Sequence, residues 1–152
     1  MTPNGIPIRK ANIGDLDAIK ALADANKSSL GFIIRPTLSF GIQKGWILVA
    51  ESKDHRVIGF VHYRHRQDSQ TTLYEICVDE TQRGNGVGRS LIEMLSAEAA
   101  ALGKEYIRLK APVNLPANRF YQIIGFNLVG VIGGKRRQLN IWEIRLSNGK
   151  VV

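Results

Sequence analysis

Two periodicities of apolar residues divide the chain near residue 80. Upstream, apolar runs of strand length separated by turn residues predict strands over 46–51, 57–64 and 72–79. Because the turns between these runs are short, the strands are expected to pair antiparallel as hairpins. Downstream, a helical stripe is followed by Gly103, where a helix stop is expected. The stripe consists of Leu91, Leu95, Ala99 and Leu102, with Ile92 beside it.

The N-terminal part predicts one strand and a first helix. Residues 6–11 have a strand pattern, in which Pro7 indicates an edge position. The helix opens at Asn12 or at 14–15, where side chains suited to helix starts occur. Its apolar stripe is Leu16, Ile19, Leu22 and Ala23.

The segment 26–44 gives an ambiguous pattern. Its apolar residues are interrupted by Pro36 and Gly41, which we interpret as breakers. We expect a short second helix across part of this segment.

The C-terminal part predicts a strand, a helix and a closing hairpin. The strand covers 106–110. Together with the strand 72–79 and the helix between them, it is expected to form a βαβ unit with parallel strands. Asn114 is expected to cap a helix that Gly125 ends. Strands over 126–132 and 139–146 then form the hairpin.

These elements predict one fold class. At 152 residues a single domain over 1–152 is the default, and it is long enough to bury a core. We expect an α/β (α+β) protein with a mixed, mostly antiparallel sheet of six or seven strands flanked by about four helices.

Three glycines at alternate positions lie between the strand at 72–79 and the following helix. They are Gly84, Gly86 and Gly88, within the segment 83–90. Glycine lets the backbone approach a ligand closely, and a helix N-terminus offers N–H groups and a positive dipole end. Together these features predict a cradle for a phosphate or pyrophosphate.

Other phosphate-binding motifs fit this loop less well. A Walker A loop needs glycine at the position of Arg83 and lysine at the position of Arg89. A dinucleotide fingerprint needs its third glycine one residue later and an acid at the end of 106–110, which is basic. The spacing Arg83-x-x-Gly86-x-Gly88 instead resembles the coenzyme A loop of the GCN5-related N-acetyltransferase (GNAT) superfamily.

A second block carries the same resemblance. The segment 114–126 is similar to the family pattern Asn-x-x-Ala-x-x-x-Tyr-x-x-x-Gly-Phe. The matching residues are Asn114, Ala117, Tyr121, Gly125 and Phe126. The resemblance spans roughly 6–146, and these two blocks are its specific part.

The resemblance implies an acetyl-CoA-dependent N-acetyltransferase that transfers the acetyl group directly to a primary amine. In such enzymes the loop amides point at the pyrophosphate, and the strand before the loop lies beside the pantetheine arm. The implied residues that bind acetyl-CoA are Ile76, Cys77, Val78, Arg83, Gly84, Asn85, Gly86, Val87, Gly88, Arg89, Ser90, Asn114 and Tyr121. The amides of Gly84, Gly86, Gly88, Arg89 and Ser90 are those expected to face the phosphates.

The resemblance also implies catalytic residues. Tyr121 occupies the position of the general acid that protonates the coenzyme A sulfur, and core packing is its alternative role. Glu75 is the first candidate for the general base, with Glu51 and His62 as alternatives. A structural glutamate and an enzyme without a dedicated base stay open. Cys77 is expected to be a small strand residue, because direct transfer needs no nucleophile.

Composition limits the partners and the compartment. The formal charge of +8 suits anions, including coenzyme A, and argues mildly against a polycationic acceptor. One cysteine fits a reducing compartment, and no apolar run or leader pattern is present, so a cytoplasmic location is expected. We expect a small-molecule or peptide amine acceptor, no metal and no membrane partner, and a homodimer stays open.

Two other functions compete with the enzyme. One is an acyl-CoA sensor without turnover. The other is a non-catalytic domain that binds nucleic acid through 64–66 and 135–137, with Tyr63 or Trp142 for stacking. Since no nucleic-acid motif is present and both clusters lie at strand ends, a nucleic-acid partner is not expected.

Overall fold

The computed structural model describes residues 5–134 and 136–146. The sequence predicts no leader at the N-terminus, but residues 1–4 of that segment lie outside the described part. Lys135 of the predicted basic cluster lies outside it as well. Within the described part, no helix is long and apolar enough to cross a membrane.

Seven strands and five α-helices make up the described residues. The strands are β1 Ile8–Lys10, β2 Ile47–Glu51, β3 Val57–His65, β4 Gln70–Val78, β5 Tyr106–Pro112, β6 Asn127–Gly133 and β7 Gln138–Arg145. The α-helices are α1 Leu16–Ala25, α2 Lys27–Leu30, α3 Arg35–Lys44, α4 Val87–Ala101 and α5 Ala117–Ile123. Short 3₁₀ helices cover Ile13–Asp15 and Glu80–Gln82.

The strands form one sheet in the order β1-β2-β3-β4-β5-β7-β6. β1 pairs antiparallel with β2 and β2 with β3, and β7 pairs antiparallel with both β5 and β6. β4 and β5 run parallel, with Gln70 opposite Tyr106, so α4 is the helix of a βαβ unit. The α/β class, the mixed sheet and the edge position of β1 are confirmed. The described residues form five α-helices rather than about four, because the segment 26–44 contains both α2 and α3.

Residue contacts divide the chain into two compact units. The first unit ends at Tyr63 and resumes over Tyr74–Leu95, and the second contains Arg64–Leu73 and resumes at Ser96. β4 and α4 each continue through a boundary between the units. The single domain over 1–152 stays a prediction.

A capping box starts the helical part of the first unit. The Asn12 side chain accepts a hydrogen bond from the Gly14 amide at 2.9 Å, and the Asp15 carboxylate accepts one from the Asn12 amide at 2.8 Å. The helix start predicted at Asn12 is therefore confirmed. The core that follows contains Ala11, Ile19, Leu22, Ala23, Ile33, Leu38, Ile42, Ile47, Val49, Phe60 and Cys77.

Pro36 and Gly41 both lie inside α3, so the prediction that they break the helix is wrong. Pro36 lies in the first turn, where the missing N–H of proline removes no helical hydrogen bond. Gly41 is buried, and a Cβ built on it would lie 3.0 Å from His62 Nε2. The missing side chain therefore lets α3 approach β3 closely.

The helix stripe after the glycine-rich loop is largely confirmed. Leu91, Leu95 and Ala99 are fully buried, and Gly103 has the left-handed φ of 79° that ends a helix. Leu102 is the exception, with 59% of its surface exposed. It lies beyond Ala101, where α4 ends, and so no longer follows the helical stripe.

Asn118, rather than Asn114, fixes the start of α5. The N-cap of α5 is Pro116, without a side-chain cap, so the predicted capping role of Asn114 is wrong. Asn118 Nδ2 donates to the carbonyls of Pro112 at 2.7 Å and Leu115 at 2.8 Å. Its Oδ1 accepts from Trp142 Nε1 at 2.8 Å, which ties the turn to β7. Gly125, with φ of 111°, follows the end of α5 as predicted.

Candidate active site

The glycine-rich loop has the backbone that an anion cradle requires. Gly84 and Gly86 have φ values of 85° and 84°, a left-handed conformation that other residues adopt at a cost. α4 begins at Val87, so the positive N-terminal end of its dipole lies at the loop. A Cβ on Gly84 would meet no atom within 4 Å, which leaves open space beside the loop. The loop therefore fits the pyrophosphate of a coenzyme A ester.

Ser90 does not take the role expected for it in that cradle. Its amide donates to the Gly86 carbonyl at 3.0 Å, as the first turn of α4 requires, and the residue is fully buried. The prediction that the Ser90 amide points at the pyrophosphate is corrected on this ground. Gly88 is also buried in the first turn, whereas Asn85 and Arg89 are exposed.

The turn before the loop is held by Asp79 and Arg83. The Asp79 carboxylate accepts from the Thr81 amide at 3.0 Å, and this hydrogen bond lowers the pKa of Asp79. The Asp79 amide donates to the Ile58 carbonyl of β3 at 2.8 Å. The Arg83 guanidinium donates to Asn26 Oδ1 at 2.5 Å, so its charge lies at the loop.

The end of β4 carries the three residues expected beside the pantetheine arm. Ile76 and Cys77 are buried and Val78 is half-buried. The Cys77 thiol donates to the Leu22 carbonyl at 3.5 Å, and burial raises the pKa of this thiol to about 11. A thiol with so high a pKa is a poor nucleophile near neutral pH. The structure thus favours the expected role of Cys77 as a small strand residue.

Glu75 and His62, two of the three candidate bases, form a contact pair. His62 Nδ1 lies 2.7 Å from Glu75 Oε2. A carboxylate only accepts hydrogen bonds, so the imidazole donates. The His62 side chain is 7% exposed and that of Glu75 17%, which leaves Glu75 more open to solvent. On its other side, His62 packs against Gly41 and lies 5.1 Å from the Tyr74 ring centroid.

Glu51, the third candidate, is held in an ion pair. Arg9 Nε donates to its Oε1, and His55 Nδ1 lies 3.3 Å from its Oε2. Arg9 first and His55 second lower the pKa of Glu51. A carboxyl group with a lowered pKa holds a proton less readily, which disfavours Glu51 as a general base.

Tyr121 and Asn114 lie in the second unit. Tyr121 is 7% exposed, and its ring packs at 5.9 Å from Phe120, 6.1 Å from Phe126 and 6.4 Å from Trp142, measured between centroids. These aromatic contacts fix the ring of Tyr121. Asn114 is exposed.

Sequence reasoning missed two residues at these sites. The sequence pattern makes Gly41 a helix breaker, although this glycine provides the space for His62. Asn118 was overlooked, although it fixes the segment that carries Tyr121. Their partners are distant in sequence, and the only local signals were a glycine within a helical pattern and a second asparagine within 114–126.

Comparison with known proteins identifies the family. The acetyltransferase (GNAT) domain model matches residues 43–128. A curated relative, the 5-NmdU N-acetyltransferase of Pseudomonas phage PaMx11, is 31% identical over 137 residues, covering 86% of this chain and 94% of the relative. The chain belongs to the GNAT acetyltransferase family. Its activity is acetyl-CoA-dependent N-acetylation of an amine acceptor.

Solved structures agree with this assignment at the level of the fold. Ard1 from Thermoplasma volcanium has a TM-score of 0.79 at 17% identity, covering 93% of this chain and 97% of that chain. The putative acetyltransferase yncA from Salmonella typhimurium, solved with acetyl-CoA, has a TM-score of 0.72 at 20% identity, covering 93% and 94%. The GNAT-type sheet predicted from the sequence is therefore confirmed.

Proposed function

We propose that Glu75 is the general base of this N-acetyltransferase, that His62 positions Glu75, and that Tyr121 is the general acid. The observation that carries this proposal is the 2.7 Å contact between His62 Nδ1 and Glu75 Oε2. It holds one glutamate in a fixed orientation on the strand that leads into the glycine-rich loop. Glu51, engaged by Arg9, is not part of the proposal.

The loop 83–90 binds the donor in this proposal. Bound acetyl-CoA supplies an acetyl group as a thioester. The amides around Gly84 and Gly86 hold the pyrophosphate, and Arg83 and Arg89 add positive charge. Ile76, Cys77 and Val78 of β4 line the pantetheine arm, with Asn114 as a further contact, and their backbone orients the thioester carbonyl.

Two proton transfers accompany the acetyl transfer. Glu75 accepts the proton that the amine nitrogen loses when it forms its bond to the acetyl carbon. Tyr121 donates its hydroxyl proton to the sulfur as the carbon–sulfur bond breaks. Solvent then reprotonates Tyr121 and takes the proton from Glu75. The imidazole of His62 keeps its N–H directed at Glu75, which fixes the carboxylate while the proton arrives. No covalent enzyme intermediate is needed, which agrees with the high pKa of Cys77.

The first acceptor to consider is 5-NmdU, which the phage relative is named for. We propose a small-molecule or peptide primary amine as the acceptor class and 5-NmdU as its first member. The formal charge of +8 disfavours a polycationic acceptor, because like charges repel. Within 64–66, His65 contacts Thr71 and Glu98 at 2.7 Å each, which supports a structural role for this part of the basic cluster.

We further propose that residues 1–152 act as one catalytic domain in the cytoplasm. The free, buried Cys77 is consistent with a reducing compartment. The homodimer stays a prediction. The edge strand β6 supports it, since Asn127–Gly133 has no charge or proline to protect its edge and exposes Leu128 and Val131.

An acceptor screen that reads free thiol release from acetyl-CoA tests the function. We expect release with 5-NmdU above the rate without acceptor, a product heavier by one acetyl group, and no release with 5-NmdU acetylated in advance. Acetyl-CoA should also raise the melting temperature saturably. A saturable shift without release for any amine would instead support the acyl-CoA sensor.

A further inference from the structure

An exposed aromatic side chain lies beside the His62–Glu75 pair, and a second exposed ring lies on the helix that packs against His62. Tyr74 precedes Glu75 on β4 and is 44% exposed. Phe40 is 50% exposed and precedes Gly41 on α3. A Cβ built on Gly41 would lie 3.0 Å from His62 Nε2. Both residues belong to the first unit, Tyr74 on β4 and Phe40 on α3. We call Tyr74 and Phe40 the aromatic platform.

Each ring of the platform packs against another ring and keeps much of its surface exposed. The Tyr74 ring lies against His62, with centroids 5.1 Å apart at an interplanar angle of 50°. The Phe40 ring meets Trp46 edge-on at 5.6 Å. Ordered rings that keep half of their surface in water gain free energy when a ligand covers them. The platform therefore has the character of a ligand surface rather than of the core.

The charge beside the platform limits the class of ligand that can bind there. Lys44 Nζ lies 5.4 Å from the Phe40 ring centroid. Lys44 would repel a ligand with several ammonium groups more strongly than a planar ring with one amine.

We infer that the aromatic platform receives the acceptor, and that the acceptor is a planar aromatic or heteroaromatic ring bearing its primary amine on a short alkyl arm. This inference rests on the proposed function, because the platform is placed beside Glu75 as the base. The ring stacks on Tyr74, and the arm directs the amine toward Glu75. Tyr74 thereby determines acceptor specificity without taking part in proton transfer.

Two matched pairs of amines test the inference. Benzylamine is compared with cyclohexylmethylamine, and phenethylamine with cyclohexylethylamine, so that each pair differs in the planarity of its ring. The readout is the ratio of kcat/KM within each pair, for wild type and for Tyr74→Leu. The intrinsic basicity of each amine cancels when the ratio in the variant is divided by the ratio in the wild type.

We expect Tyr74→Leu to lower the aromatic preference roughly three- to tenfold, the range of one aromatic contact. Tyr74→Phe should retain it, because the ring stays. Tyr106→Leu is the matched control, since Tyr106 is a ring of the second unit beneath Arg108. The ratio should be unchanged in that variant.

The outcomes separate the inference from the proposed function. Turnover of the amines with the same ratio in Tyr74→Leu as in wild type, or a wild type that uses only the cyclohexyl amines, would overturn the inference alone. Absence of thiol release with every amine, 5-NmdU included, would overturn the proposed function and the inference with it. Because Tyr74 is exposed, Tyr74→Leu should keep the wild-type melting temperature, which confirms that the comparison is made on folded protein.

Discussion

At the scale of single residues, Tyr121 has two roles to satisfy. Its ring is fixed by Phe120, Phe126 and Trp142, which is what a packing residue does. Its hydroxyl is the group that a general acid needs in order to donate a proton. A change that removes the hydroxyl and keeps the ring separates these roles.

Tyr121→Phe should lower kcat about 10²–10⁴-fold, the usual contribution of a general acid. The affinity for acetyl-CoA should change little, because the proton is needed mainly in the transition state. The melting temperature should also change little, since the aromatic contacts remain. Steady-state kinetics and calorimetry measure these quantities. Tyr106→Phe is the matched control that removes a hydroxyl elsewhere, and a folded Tyr121→Phe enzyme with near-normal kcat would refute the acid role.

At the scale of elements, the glycine-rich loop is the part that the sequence specified best. Three alternate glycines before a helical stripe predicted the cradle, and two of them have the left-handed backbone that only glycine adopts readily. The loop conformation is encoded locally, so it could be predicted. The contribution of each amide could not be, as Ser90 shows, because hydrogen bonding depends on where α4 begins.

Gly86→Asp should abolish acetyl-CoA binding while the protein stays folded. An aspartate places a carboxylate where the backbone must approach a pyrophosphate, and the two negative charges repel. Gly86→Ala is the control for backbone strain, since any side chain at φ of 84° costs about 1–3 kcal/mol. Calorimetry should show a smaller loss of affinity for Gly86→Ala than for Gly86→Asp. Wild-type affinity in folded Gly86→Asp would contradict the assignment of the loop.

The elements that were predicted wrongly depend on contacts distant in sequence. Local rules make Gly41 a breaker, but α3 continues through it because His62 of β3 packs there. Local rules make Asn114 a cap, but Asn118 is selected by Trp142 on β7. The pairing of Glu75 with His62 likewise joins two strands. Patterns along the chain predicted both as candidate bases but not their contact.

At the scale of the whole molecule, acidic groups held by arginine link stability to pH. Arg9 lies between Asp15 and Glu51, with Nη1 2.7 Å from Asp15 Oδ2. Arg9 is the largest cause of the lowered pKa of both carboxyl groups. Groups whose pKa is lowered by folding stabilise the protein above their unfolded pKa, and this stability is lost as pH falls through the folded pKa.

Wild-type protein should therefore lose unfolding free energy as pH falls below about 5, where unfolded aspartate and glutamate begin to bind protons. The Arg9→Met variant should be less stable than the wild type at neutral pH. Its unfolding free energy should also fall less steeply than that of the wild type as the pH decreases. Denaturant unfolding across pH 3–7 measures both effects. Arg56→Met is the control, because Asp54 owes its lowered pKa mainly to Ser52. Parallel pH profiles for Arg9→Met and wild type would contradict this account.

The central claim is that Glu75 is the base and that His62 positions it. Two variants of His62 separate positioning from packing, since His62→Asn keeps an N–H donor near Nδ1 and His62→Leu removes it. We expect His62→Leu to lower kcat and His62→Asn to recover part of the loss.

The most direct measurement is the pH dependence of kcat for Glu75→Gln, read by thiol release from acetyl-CoA. Glutamine keeps the shape of Glu75 but cannot accept the proton. We expect kcat to fall about 10²–10⁴-fold, the range for a general base, with the largest loss at low pH, where the amine most needs deprotonation. A folded Glu75→Gln enzyme with the kcat and the pH profile of the wild type would contradict the claim.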